Sequence, residues 1–165
     1  MESRTIAVKH LVIKLDTSFE QFTLILEGAL GRLNHEVFTK MENDPALVAA
    51  ALATMGGYED LILFDIYEHG KLLNIAEAPR KAKQYVIGNP GIASTMTRLD
   101  IRAALYAPLH VLVYEQPDKV SFVEYDLPSS LFGQFGNAEV TRVGESLDTK
   151  FERLIRKADT DLKTK

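Results

Sequence analysis

The chain of 165 residues has no cysteine. Disulfide scaffolds, thiolate metal sites and cysteine nucleophiles are excluded by that absence. It also fits a reducing cytosol, so a cytoplasmic location is the expectation. No stretch approaches the roughly 18 consecutive apolar residues of a membrane span, and no membrane partner is expected. Met1-Glu2-Ser3-Arg4 runs straight into a polar/apolar alternation without an apolar h-region, which argues against a secretory signal. Basic charge is not in excess. The 19 Lys and Arg against 23 Asp and Glu leave a net charge of −4, the wrong sign for a general phosphate-backbone binder. Nucleic acid is therefore not an expected partner. Walker and dinucleotide fingerprints are missing, and no cofactor is expected. A serine nucleophile elbow is missing too, since Ser129-Ser130 follows a proline rather than a glycine pair. The four histidines, His10, His35, His69 and His110, lack paired metal-ligand spacing, so no metal is expected.

What is present is a chain of one-domain size. Apolar residues make up 46% of it, enough for a core without disulfides. Residues 5–15 carry apolar side chains on both alternating faces, which predicts a central strand or one covered on both sides. Asp16, Thr17 and Ser18 are N-cap candidates for a helix with Phe19, Phe22, Leu26, Leu30 and Leu33 at helical spacing, ending near Arg32. His35 to Lys40 reads as a short strand. Asn43-Asp44-Pro45 then starts a helix, with Asp44 as cap and Pro45 at the first helical position. That helix, Ala46 to Met55, is apolar all round and is expected to be buried or to lie at a subunit interface.

Further strands are predicted at Leu61–Tyr67, Ala82–Ile87, Pro108–Glu115 and Lys119–Asp126, the last two joined as a hairpin through Gln116-Pro117-Asp118. Short helices are predicted at Lys71–Ala76, Pro90–Arg98 and from Pro128. A final helix runs from about Glu139 to Ala158 with Val140, Val143, Leu147, Phe151 and Leu154 on one stripe. The order predicts an α+β fold: an antiparallel-rich β-sheet of about five strands with helices packed on one face, in strand-helix-four-strand-helix order with an inserted helix. Residues 1–158 form the single domain, and 159–165 a polar tail.

Three spaced elements carry a family resemblance. They are the apolar strand from Tyr85 that ends in Gly88-Asn89-Pro90, the strand Pro108 to Glu115 that ends in Tyr-Glu, and Tyr125-Asp126-Leu127-Pro128-Ser129. With the Asp65-to-Gly70 segment and Leu147-Asp148-Thr149-Lys150, they resemble the family catalogued as domain of unknown function 302 over about residues 58–156. The resemblance implies a strand-helix-four-strand-helix fold similar to one half of the TATA-binding-protein saddle, and a dimer. It implies no reaction and does not license DNA binding. Residues 34–57 look like an insertion.

The junction Gly88-Asn89-Pro90-Gly91 is the first candidate site. Asn89 can cap the following helix, and the free amides of Gly91, Ile92 and Ala93 can bind a carboxylate or phosphate. Ser94 adds a hydroxyl and Arg98 a positive charge. The competing reading is a plain strand-to-helix turn that needs glycine. The second candidate is Glu68-His69, an acid/base pair near a strand end, set against an exposed loop histidine. The third is the carboxylate set Glu115, Glu124 and Asp126 on the hairpin. Glu124 is expected on the apolar face with Val120 and Phe122, where a carboxylate is either at the sheet's rim or buried with a raised pKa; the competing reading is a rim salt bridge or a capped turn, with Asp126 capping the Pro128 helix. Two functions stay open: a domain that binds a small, possibly anionic molecule between sheet and helix, with Gly88, Asn89, Gly91, Ser94 and Arg98 as ligand-binding residues; and a lyase- or isomerase-like enzyme using His69, Glu115 or Glu124. A structural homodimer through the Ala46–Met55 helix is the third.

Overall fold

The computed structural model describes residues 1–40, 44–76 and 78–160. Its strands are β1 (His10–Lys14), β2 (Gly31–Arg32), β3 (Ile62–Tyr67), β4 (Ala82–Gly88), β5 (Leu109–Glu115) and β6 (Ser121–Asp126). Its helices are α1 (Phe19–Ala29), α2 (His35–Thr39), α3 (Pro45–Met55), α4 (His69–Leu73), α5 (Pro90–Thr97), α6 (Pro128–Gly133) and α7 (Ala138–Ala158), with 3-10 turns at Tyr58–Asp60, Asn74–Ala76 and Ile101–Tyr106. The strands make one six-stranded sheet in the order β1-β6-β5-β4-β3-β2. Every pairing is antiparallel except the two-residue β2, which runs parallel to β3.

Caps start the helices where the side chains predict them. Ser18 accepts from Gln21 N, Asp44 from Ala46 N and Leu47 N, and Asn137 from Glu139 N and Val140 N. One sheet face alternates into the core through Leu109, Val111 and Val113 of β5 and Ser121, Val123 and Tyr125 of β6. Onto it pack α1, α6 and α7, whose apolar stripes supply Phe22, Leu26, Phe132, Phe151 and Leu154, all fully buried. Tyr125 and Phe151 meet ring to ring at 5.7 Å. The opposite face is open, with His10, Val12, Lys14, Tyr67 and His110 exposed.

Several expectations are corrected. The first strand is not central: β1 closes one edge of the sheet, and regular structure begins only at His10. His35–Lys40 forms α2 rather than a strand, because Asn34 Oδ1 accepts from Glu36 N and nucleates a helical turn. The sixth strand, Gly31–Arg32, is too short to carry a periodicity. Of the two readings of the apolar α3, burial within the chain is the one overturned: Val48 alone among its residues is in the core and Leu47 is 57% exposed. Asn43 lies outside the described residues. The start of the tail, Asp159, is anchored instead: its carboxylate accepts from Asp16 N, Thr17 N and the Thr17 hydroxyl at 2.8–3.1 Å. The tail beyond Thr160 lies outside the described residues.

Candidate functional site

β4 drives into Gly88, and α5 starts at the next turn. Asn89 Oδ1 accepts from Gly91 N at 2.8 Å and Ile92 N at 3.1 Å, Asn89 O accepts from Ala93 N at 2.8 Å, and Asn89 Nδ2 donates to Asp60 O at 2.8 Å. The three amides expected to cradle an anion are therefore already satisfied by Asn89. The anion cradle is corrected to a capped turn that ties β4, α5 and the Tyr58–Asp60 turn together.

The same junction walls a cavity of about 310 Å³ at this end of the sheet. Gly88, Asn89, Ile92, Ser94 and Met96 line it from the junction and α5, Ala104 and Ala107 from the following turn, Phe132 from α6 and Leu147 from α7. Among the described residues, no lining side chain is charged. A glycine at 88 matters because its missing Cβ would stand 3.1 Å from Pro108 Cβ and 3.6 Å from Phe64 Cε2, on the cavity wall. Ser94 Oγ donates to Gly91 O at 2.7 Å and keeps its acceptor capacity. Gly91 and Arg98 are not in this lining; Gly91 borders a neighbouring shallow groove with Asp60, Arg142 and Lys150, and Arg98 is exposed.

The acid/base candidates gather elsewhere. His69 and Glu115 line a groove of about 410 Å³ at the far end of β4, with Gln84, Leu112 and Tyr114. His69 Nε2 is 3.4 Å from Gln84 Oε1, and Glu115 holds Lys81 at 3.0 Å and Lys119 at 3.3 Å. Glu124 is beside this groove, not in the core. The apolar face of β6 is Ser121-Val123-Tyr125, so Glu124 stands on the open face with Phe122; the expected apolar face is corrected, and Glu124 meets the salt-bridge alternative rather than the buried one. Its Oε1 accepts from the Tyr114 hydroxyl at 2.5 Å, its Oε2 is 3.1 Å from His10 Nε2, and His10 Nδ1 is 2.7 Å from Asp126 Oδ1.

The hydrogen bond from Tyr114, reinforced by the one from His10, holds the Glu124 carboxyl below the usual range rather than above it. Asp126 first and Glu124 second raise the His10 imidazole, and Glu124 raises the Tyr114 hydroxyl. Glu124 and Tyr114 are thereby held as carboxylate and neutral hydroxyl, while His10 gains proton affinity. His10 and Tyr114 were not singled out in the sequence for this role: the contact needs β1 paired to β6, whose partners His10 and Asp126 are 116 residues apart.

A second buffered group lies under α1. Glu27 Oε1 accepts from Lys83 Nζ at 2.9 Å and from the fully buried Tyr85 hydroxyl at 2.8 Å. Burial, and then Glu27, push the Tyr85 hydroxyl far above its ordinary value.

The fold is similar to that of a solved structure titled as an uncharacterized conserved protein DUF302 from Bacillus stearothermophilus. The likeness has a TM-score of 0.64 and 11% identity, and covers 90% of this chain and 97% of that one. No curated protein matches. A family model matches from Leu47, within α3, so the segment 34–57 read as an insertion is matched from its middle onward. That family is described as Domain of unknown function DUF302, its match spans residues 47–158, and this chain belongs to it.

Proposed function

We propose that the protein binds a small, uncharged and mainly apolar molecule in the cavity beneath α5. One observation carries this reading: about 310 Å³ of space at the sheet end, whose lining among the described residues holds no charged side chain. That volume is at the lower end of small-molecule sites, which are typically apolar with a few polar groups that fix orientation. Ser94 and Thr97 supply hydroxyls for that purpose. The capped amides and the distance of Arg98 from the lining argue for an uncharged ligand over an anionic one. The open-face cluster favours catalysis less at Glu124 and Tyr114, because their mutual hydrogen bond lowers the carboxyl and raises the hydroxyl, both away from neutrality.

The test uses N-phenyl-1-naphthylamine, a neutral probe whose fluorescence rises in apolar surroundings. Saturable binding to the wild type, lost in Ala93→Phe and kept in Arg98→Ala, supports the reading. No saturable binding, or binding that survives Ala93→Phe with the melting temperature unchanged, refutes it. A preference for the anionic probe 1-anilinonaphthalene-8-sulfonate that disappears in Arg98→Ala would refute the uncharged class.

A further inference from the structure

The cavity beneath α5 has an exposed apolar rim. The Ile101–Tyr106 turn repeats every three residues, so its side chains form three rows. Ala103 and Tyr106 make the inward row: Ala103 is fully buried, and Tyr106 packs on Phe135 with ring centroids 6.1 Å apart. Ile101 and Ala104 share the next row, and Ala104, itself exposed, lines the cavity. Ile101 therefore stands one turn from the cavity wall, 74% exposed. Arg102 and Leu105 form the third row, with Leu105 78% exposed, and Leu99, just ahead of the turn, is 40% exposed. The backbone that carries them is pinned. Asp100 accepts from Arg102 N at 3.0 Å and from the Arg102 guanidinium at 2.9 and 2.7 Å, and that guanidinium lies over the Phe135 ring at 5.2 Å.

Charge adds to the apolar rim. Residues 97–107 hold two arginines, Arg98 and Arg102, and one aspartate, Asp100. The segment is positive by one charge in a chain that is negative by four, and none of these groups changes charge near neutral pH. Asp100 is taken up by Arg102, whereas Arg98 is exposed on α5, four residues beyond Ser94 and so on the same side of the helix. A standard protein partner covers about 800 Å² per side with matching shape, and three side chains around one turn offer far less. A bilayer surface needs no matching shape. It takes apolar side chains in among its headgroups and, when anionic, attracts arginine. Its interior also concentrates uncharged apolar molecules, the class that suits the cavity.

We propose that this rim docks on the surface of an anionic lipid bilayer, with Leu99, Ile101 and Leu105 among the headgroups and Arg98 against their phosphates, so that the cavity exchanges its ligand with the bilayer. The proposal rests on the cavity reading above. No helix among the described residues is long and apolar enough to cross a membrane. The contact is at the surface, and with so few inserted side chains it is reversible.

The test is sedimentation with sucrose-loaded vesicles of phosphatidylcholine mixed with phosphatidylglycerol. The wild type should sediment with them. Ile101→Glu/Leu105→Glu should bind at least about tenfold more weakly, because two apolar groups leave the contact and two negative ones face the lipid phosphates. Arg98→Ala should bind about fivefold more weakly, the effect of one arginine near an anionic surface. Leu72→Glu/Ile75→Glu, at an apolar pair 60% and 84% exposed near the other end of β4, should bind as the wild type does. N-phenyl-1-naphthylamine, added without vesicles, reports on the cavity separately. A wild type that binds this probe but stays in the supernatant overturns the docking surface and leaves the cavity reading standing. Vesicle binding that survives Ile101→Glu/Leu105→Glu, or that falls equally in Leu72→Glu/Ile75→Glu, also overturns it. Vesicle binding through the rim by a protein that takes up no probe refutes the cavity reading, and with it the exchange of ligand. If the paired glutamates unfold the chain by circular dichroism, Ile101→Ser/Leu105→Ser decides by the same comparison.

Discussion

Glycine-to-alanine substitution should have opposite signs at two helical positions of this chain. In α7, a Cβ on Gly144 would lie 2.8 Å from Ser129 Cα, 3.2 Å from Ser129 N and 3.3 Å from Pro128 O. All three are backbone atoms of the α6 start, so no flexible side-chain end can turn aside. Ordinary contact begins at 3.4 Å, and α7 would have to withdraw from α6 by about 0.6 Å across a close-packed seam. Overpacking of this kind costs about 1–3 kcal/mol. Against it stands the helix preference for alanine over glycine, about 1 kcal/mol. The net expectation for Gly144→Ala is a loss of up to about 2 kcal/mol. In α1, a Cβ on Gly28 meets nothing within 4 Å. Only the propensity remains there, reduced because Gly28 is in the last turn, so Gly28→Ala should stabilise by some tenths to about 1 kcal/mol. Urea unfolding of both variants, with slopes unchanged, measures the difference. Melting temperatures should part by about 2–4 °C per kcal/mol for a domain of this size. Equal signs, or a Gly144→Ala variant more stable than wild type, would refute the packing argument. The seam also positions Phe132 and Leu147 on the cavity wall, so Gly144→Ala should weaken binding of N-phenyl-1-naphthylamine, whereas Gly28→Ala should not.

Three other outcomes follow from single contacts. The His10 pKa is raised by Asp126 and Glu124, so its stabilising share is complete below the unfolded value of about 6.5 and fades as pH climbs through the folded one. With His10 half exposed, that share is well under 1 kcal/mol. NMR titration should place the imidazole above 6.5, and a value at or below it would contradict the clamp. Tyr85→Phe removes the buried donor to Glu27 and should cost about 1–2 kcal/mol in chemical denaturation; an unchanged midpoint would show that the bond contributes nothing net. Asn89→Ala strips the cap of α5 and the link to Asp60. A loss of about 1–2 kcal/mol is expected, and a neutral result would mean that the junction is held by packing alone.

Local chemistry is what the amino-acid order alone determined. Asp44-Pro45 and Asn89-Pro90 start helices because a cap and its amides are within three residues of each other. The α7 stripe and the β5–β6 hairpin depend on periodicity and one turn, and they came out with nearly the predicted bounds. The family motifs belong to this local class, and so does the α+β order of elements. Where Glu124 points was misread, because Phe122 looks like a core residue until the packing of α1 and α7 picks the other face of β6. The placement of β1 at an edge and the meeting of His10 with Glu124 and Asp126 were equally illegible, and the composition of α3 left burial and exposure both open. Each depends on contacts between residues distant in sequence, and a side chain carries no record of its far partner. The Gly88-Asn89-Pro90 junction shows both levels: the cap is local and was legible, whereas the cavity beside it exists only because α5, α6 and α7 close around the sheet end without filling it.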